Sequence, residues 1–140
     1  MPEALVVDCS VAAKWALQES GRAEALRLLD EQESGEISLI APDLLLIEFA
    51  SLIAKRIRRS QMPAAEGQQA FRLMEESELR LVATRPLLGR ALSLALHNRM
   101  SLWDCVYLAL AIEYDCPLIT ADRRLFRGNT GRHPAIRLLE

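Results

Sequence analysis

Apolar and polar positions along the chain fall into short blocks of two alternating kinds. Residues 4–7, 38–41, 79–83 and 117–120 are brief, mostly apolar runs, the pattern of strands buried in a parallel sheet. Longer stretches with helical spacing cover residues 10–17, 21–33, 43–59, 63–77, 86–98 and 102–114. The last of these is apolar on almost every side and is expected at the centre of the fold. The stretch 43–59 ends in Lys55, Arg56, Arg58 and Arg59, cations that suit a helix C-terminus. Pro42 closes the second strand, and residues 135–138 fit a last edge strand. Strands alternating with helices predict an α/β sandwich with a mainly parallel sheet. Residues 1–140 read as a single domain, because no repeat, low-complexity tract or Gly/Pro/Ser linker divides them.

In open sheets of this kind ligands bind beyond the carboxyl ends of the strands, which draws attention to acids placed there. Asp8 and Asp122 stand at or just past the ends of two apolar strands. Glu48 interrupts the otherwise apolar run 44–53, and Asp104 opens the apolar helix. An unpaired charge in such surroundings costs several kcal/mol, roughly, so each acid needs a partner. A divalent cation such as Mg²⁺ or Mn²⁺, which takes hard oxygen ligands, could serve all four. Each acid also has a plainer reading. Asp8 or Ser10 could cap the first helix, Asp104 completes a Ser-x-x-Asp capping box with Ser101, Asp122 could cap a short turn at 123–126, and Glu48 could pair with Arg90 or Arg99. Asp43, after Pro42 at a helix start, is expected to cap and is left out of the site.

Composition narrows the classes further. With 140 residues, 51% hydrophobic and 26% charged, the chain can bury a core without disulfides or a structural metal. The cysteines, Cys9, Cys105 and Cys116, lack CxxC spacing and read as small buried hydrophobes rather than a disulfide frame or zinc site. A net charge of −2 argues against a surface that grips nucleic acid everywhere. Of the 17 cations only Lys14 and Lys55 are lysine, a bias that suits phosphate contacts and also follows from genome base composition. No apolar run reaches the ~20 residues of a membrane span, and Met1-Pro2-Glu3 lacks the basic start of a secretory signal, so a cytoplasmic location is the expectation. His97 and His133 show no partner spacing for nucleophilic catalysis and read as surface histidines.

Four segments together resemble the PIN-domain family, in particular VapC-type toxins of toxin–antitoxin pairs: Leu5-Val6-Val7-Asp8-Cys9-Ser10-Val11-Ala12, Pro42 to Glu48 with its following helix, Ser101-Leu102-Trp103-Asp104 leading into Tyr107 to Ala111, and Pro117 to Asp122 followed by Arg123, Arg124 and Leu125. Order and spacing hold from near residue 4 to about residue 126, and the tail from Gly128 fits less clearly. The resemblance implies a PIN-like three-layer α/β/α sandwich with Asp8, Glu48, Asp104 and Asp122 gathered at one end of the sheet, and with Ser10 and Thr120 as the small hydroxyl residues beside them. It implies an endoribonuclease using Mg²⁺ or Mn²⁺, in which metal-activated water attacks a phosphodiester. Asp8, Asp104 and Asp122 are then the metal ligands, and Glu48 is a ligand or orients the water. Lys14, Arg123 and Arg124 are the candidate phosphate contacts. Expected partners are the RNA substrate, a cognate antitoxin protein and a second copy in a homodimer.

Two other classes remain in view. Phosphoaspartyl enzymes of the haloacid-dehalogenase type want a second Asp two residues after the nucleophile, where this chain has Ser10. A non-catalytic PIN-like module binding RNA or protein is the alternative that loss of an acid would favour, yet all four are present.

Overall fold

A computed structural model describes residues 2–129 and 135–140. The first strand, β1 (Glu3–Val7), becomes fully buried from Leu5 onward. It is followed by α1 (Cys9–Ala16), α2 (Arg22–Glu33) and β2 (Ile37–Pro42). Next come α3 (Leu44–Arg58), α4 (Ala64–Glu75) and β3 (Arg80–Val82). A 3₁₀ turn at Arg85–Leu87 then leads into α5 (Leu88–Asn98), α6 (Leu102–Glu113), β4 (Leu118–Thr120), α7 (Arg123–Gly128) and β5 (Ile136–Leu138). The strands form one sheet in the order β3-β2-β1-β4-β5, every described pairing being parallel.

This order explains why β1 reads as an unbroken apolar run. It lies mid-sheet between β2 and β4 and is covered on both faces. Parallel crossovers are right-handed, so the helices of the two leftward connections (β1 to β2, β2 to β3) lie on one face. Those of the rightward connection from β3 to β4 lie on the other. The packing agrees: α1 contacts α2, α3 and α4, whereas α6 packs on α5 and beneath β1, β2 and β4. The result is the three-layer α/β/α sandwich. Helix α6 is the central element expected from its composition, with Cys105 through Ala111 all buried. In α4, Gly67 lets α3 approach: a Cβ there would meet Ile53 Cγ2 at 2.7 Å and Ile57 Cδ1 at 2.8 Å.

Three local expectations need correction. Pro42 is the last residue of β2, paired with Val82, rather than the residue that stops it; the ladder bond comes from Asp43 N to the Val82 carbonyl at 2.8 Å. A residue without an N–H is tolerated there because the next residue supplies the donor. Asp43 does not cap α3. Its Oδ1 instead accepts from Thr84 N at 3.1 Å and from Thr84 Oγ1 at 2.6 Å, and Thr84 Oγ1 accepts from Leu44 N at 3.0 Å. The cap is thus lent by a residue 40 positions away. Finally, the turn expected after Asp122 is the helix α7.

Candidate active site

The strand order reverses between β1 and β4: the chain builds leftward through β3, then returns to add β4 and β5 on the other side. Such a switch point opens a crevice at the carboxyl ends of the two strands. Asp8 follows β1 and Asp122 follows β4, so both acids stand at its mouth. Helix α6 brings Asp104 from one layer and α3 brings Glu48 from the other.

Asp8 is buried and its carboxylate is fully engaged. Oδ1 accepts from Ser10 Oγ at 2.5 Å and from Val11 N at 3.3 Å, which makes Asp8 the N-cap of α1. Oδ2 accepts from Thr120 Oγ1 at 2.5 Å. The same two hydroxyls tie down the β4 end, since Ser10 Oγ accepts from Ala121 N at 2.9 Å and Thr120 Oγ1 from Asp122 N at 3.0 Å. Both hydroxyl residues singled out in the sequence therefore bridge β1 and β4 at the site. Burial pushes Asp8 up from 3.8 to about 6; the Ser10, Thr120 and Val11 hydrogen bonds oppose the rise, and the charge of Asp104 adds to it.

Asp122 is exposed and caps α7 through Oδ1, which accepts from Arg124 N at 2.9 Å and Leu125 N at 3.3 Å. Glu48 accepts from the Tyr107 hydroxyl at 2.5 Å through Oε1. Its partner is therefore a buried tyrosine on α6, not Arg90 or Arg99. Burial raises the Glu48 pKa, the Tyr107 bond opposes that, and the charge of Asp104 reinforces it. Asp104 N donates to Ser101 Oγ at 3.1 Å, one arm of the anticipated capping box. Its pKa is raised by burial first, with Ser101 opposing and Asp122 adding. Asp104 is thus the hub of the cluster: its charge is felt by Asp8 and Glu48, and it feels Asp122. Capping and a charged site, alternatives in the sequence, coexist here in the same residues.

Among the described residues no cation pairs with any of the four acids, the two ion pairs present both belonging to Glu19. Glu48 Oε2 and Asp122 Oδ2 receive no hydrogen bond among the described residues. As the side chains lie, no three metal-binding groups among those residues meet closely enough to hold an ion. The donor set nonetheless fits a hard divalent cation: oxygen ligands only, mutually repelling, with open oxygens and no counter-ion among the described residues.

Two of the clefts bordering the acids each combine them with two basic side chains, from α7 and the loop before α6 or from α1 and α3. One of about 410 Å³ is lined by Arg99, Ser101, Asp104, Asp122, Arg124 and Asn129 among others. The other, about 350 Å³, is lined by Ser10, Glu48 and Ala121 and also by Lys14, Glu19 and Arg56. Arg123 and Arg124 are exposed at the start of α7. Lys14 is half-buried and committed to Glu19 at 3.5 Å and the Ser20 carbonyl at 2.7 Å. Cys9 and Cys105 beside the acids are free thiols pushed up by burial to about 12 and about 11, which keeps them protonated and inert. Tyr107 and Arg56 went unnoticed as site residues in the sequence; the apolar setting of α6 hides a hydroxyl whose only unusual property is what it touches. His97 is a surface residue whose Nδ1 meets the Ser93 carbonyl, and His133 lies outside the described residues.

A family model described as the PIN domain matches residues 5–129. The ribonuclease VapC9 of Mycobacterium tuberculosis is 33% identical over 123 residues, which span 86% of this chain and 87% of that protein. Among solved structures, PAE2754 from Pyrobaculum aerophilum superposes with a TM-score of 0.73 at 18% identity, covering 99% of this chain and 92% of its own. A toxin–antitoxin complex from Klebsiella pneumoniae matches with a TM-score of 0.57 at 18% identity, covering 95% of each chain.

Proposed function

Because the chain belongs to the PIN domain family, we propose that it is an endoribonuclease dependent on a divalent cation and the toxin of a toxin–antitoxin pair. The observation that carries the reading is the convergence of Asp8, Asp104, Asp122 and Glu48 on the β1/β4 switch point without a neutralising cation among the described residues. The relative named a ribonuclease supports the activity, and the toxin–antitoxin complex of the same fold supports the partner.

Asp8, Asp104 and Asp122 would hold Mg²⁺ or Mn²⁺, with Glu48 as a further ligand or orienting the attacking water. A cation held by these acids would lower the pKa of a water and offset negative charge at the scissile phosphate. The chain's own residues set the conditions for this. Ser10 and Thr120 fix the Asp8 carboxylate in one orientation before any ligand arrives. Tyr107 fixes one oxygen of Glu48 and leaves Oε2 to accept a hydrogen bond from water. Without a cation the four acids repel RNA, so cleavage and substrate approach share one requirement. Arg124, which lines the cleft with Asp104 and Asp122, and Arg123 beside it are the proposed phosphate contacts, together with Lys14.

Two surfaces suit the proposed protein partners. Leu88, Leu92 and Leu96 form an exposed stripe at helical spacing on α5, which suits a second copy of the chain. An apolar groove of about 530 Å³ between α3 and α4, lined by Ile53, Ile57 and Phe71, suits an antitoxin segment. No described helix is long and apolar enough to cross a membrane.

The deciding experiment incubates the purified chain with tRNA and other structured RNAs in Mg²⁺, Mn²⁺ or EDTA, alongside Asp8→Asn. Cleavage that requires the cation and vanishes in the variant is the expected result. Full cleavage in EDTA, or by the variant, overturns the assignment.

A further inference from the structure

Both ion pairs among the described residues converge on one carboxylate outside the acid cluster. Lys14 Nζ lies 3.5 Å from Glu19 Oε1, and Arg56 Nη2 pairs with Oε2. The triad carries a net charge of +1, and its three side chains are only 14%, 20% and 28% exposed for Lys14, Glu19 and Arg56. It is held from several directions. Lys14 also donates to the Ser20 carbonyl, and Gly21, at φ +87°, lies so close that a Cβ there would meet Lys14 Cε at 3.3 Å. Arg56 spends only Nη2 on Glu19, leaving Nε and Nη1 without a protein partner among the described residues. These groups line the same cleft as Ser10 and Glu48, Lys14 one turn beyond Ser10 on α1 and Arg56 two turns beyond Glu48 on α3.

We propose that Lys14 and Arg56, held together by Glu19, form a phosphate-binding subsite for an RNA nucleotide adjacent to the scissile one. The inference rests on the nuclease reading above and adds a second electrostatic sign to it. The acid cluster repels phosphate and needs a cation to take the scissile group. A fixed positive cluster in the same cleft has no such requirement. Glu19 allows two like charges to stand side by side, and partial burial has already restricted their rotamers, so a phosphate meets a pre-organised fork rather than two solvated chains. Free guanidinium donors on a fixed arginine suit the paired oxygens of a phosphodiester.

The test measures binding of a fluorescein-labelled single-stranded RNA in Mg²⁺ to the non-cleaving Asp8→Asn chain, with and without Arg56→Ala, across a range of salt. The expected result is roughly tenfold weaker binding. The plot of log K against log salt should also become shallower by about 0.7, one phosphate contact on a single strand. Arg56→Lys, which keeps the charge and the Glu19 pair, should retain the slope and lose part of the affinity. If the triad merely pins the 17–21 loop to α3, Arg56→Ala lowers the melting temperature but leaves affinity and slope unchanged. That outcome, with the wild-type chain still cleaving RNA, overturns the subsite and spares the nuclease. A separate titration with inorganic phosphate follows the Arg56 Nε–H resonance. A saturable shift supports the subsite even for a chain that cleaves no RNA, and no shift at millimolar phosphate overturns it.

Discussion

The Tyr107 hydroxyl, buried on α6, donates to Glu48 Oε1 on α3 at 2.5 Å and so ties together the two helical layers across the end of the sheet. Burial, with the Glu48 charge behind it, drives the tyrosine pKa far above its ordinary range, so the hydroxyl remains a donor at every working pH. Tyr107→Phe keeps the ring and removes the donor. Glu48 then loses the one interaction opposing its raised pKa. The expected outcome is a roughly tenfold fall in cleavage rate and an acid limb displaced to higher pH, read from a pH–rate profile. An unchanged profile would leave Tyr107 a packing residue only.

Asp8 makes the metal-free fold weakest where it is ionised. Its pKa is higher folded, at about 6, than the ordinary 3.8, so the folded state binds the proton more tightly and stability falls as pH rises through this window. The gap corresponds to about 3 kcal/mol at most, present in full above pH 6 and gone below pH 4. Asp8→Asn should therefore melt several degrees above the wild type at pH 8 in EDTA and lose that advantage at pH 4. Mg²⁺ should stabilise the wild type and not the variant.

Thr120 carries two bonds at once, to Asp8 Oδ2 and from Asp122 N. Thr120→Val preserves shape at a fully buried position and strands both partners. A loss of about 1–3 kcal/mol in urea unfolding is expected. The Asp8 pKa should rise further, so the acid limb of cleavage moves up as well.

The borrowed cap at Asp43 and Thr84 gives a control remote from the chemistry. Thr84→Val and Asp43→Ala should each cost about 1 kcal/mol. The double variant should cost less than the sum of the two, because both lose the Thr84 hydroxyl's bond to Asp43 that supports the Leu44 cap. Cleavage by folded protein should be unaffected; a large rate loss would extend the site to this corner.

What the chain made legible were features with strong, local signatures. The apolar runs 4–7 and 117–120 end in acids, and an acid after a buried strand stands out because so little else there is charged. Partnership was harder to read. For Glu48 the plainer alternative to a metal role is an arginine partner, since charge suggests charge, while the actual donor is a neutral hydroxyl from a segment 59 residues later. Asp43 had the position of a cap but not the backbone: its φ of −64° and ψ of −14° are already helical, so its carboxylate points elsewhere and Thr84 fills in. Helix α7 escaped notice because six residues ending in Gly128 carry too little periodicity to declare themselves. The Lys14–Glu19–Arg56 triad spans two helices and a loop, and no spacing rule predicts such a meeting.

The placement of β1 between β2 and β4 has a temporal side. Asp8 is held by a hydroxyl that lies 112 residues further along the chain. Only when β4 slides in beside β1 do Asp8 and Asp122 share a crevice. If the chain is the nuclease proposed above, its acid site is therefore incomplete until β4 has joined the sheet.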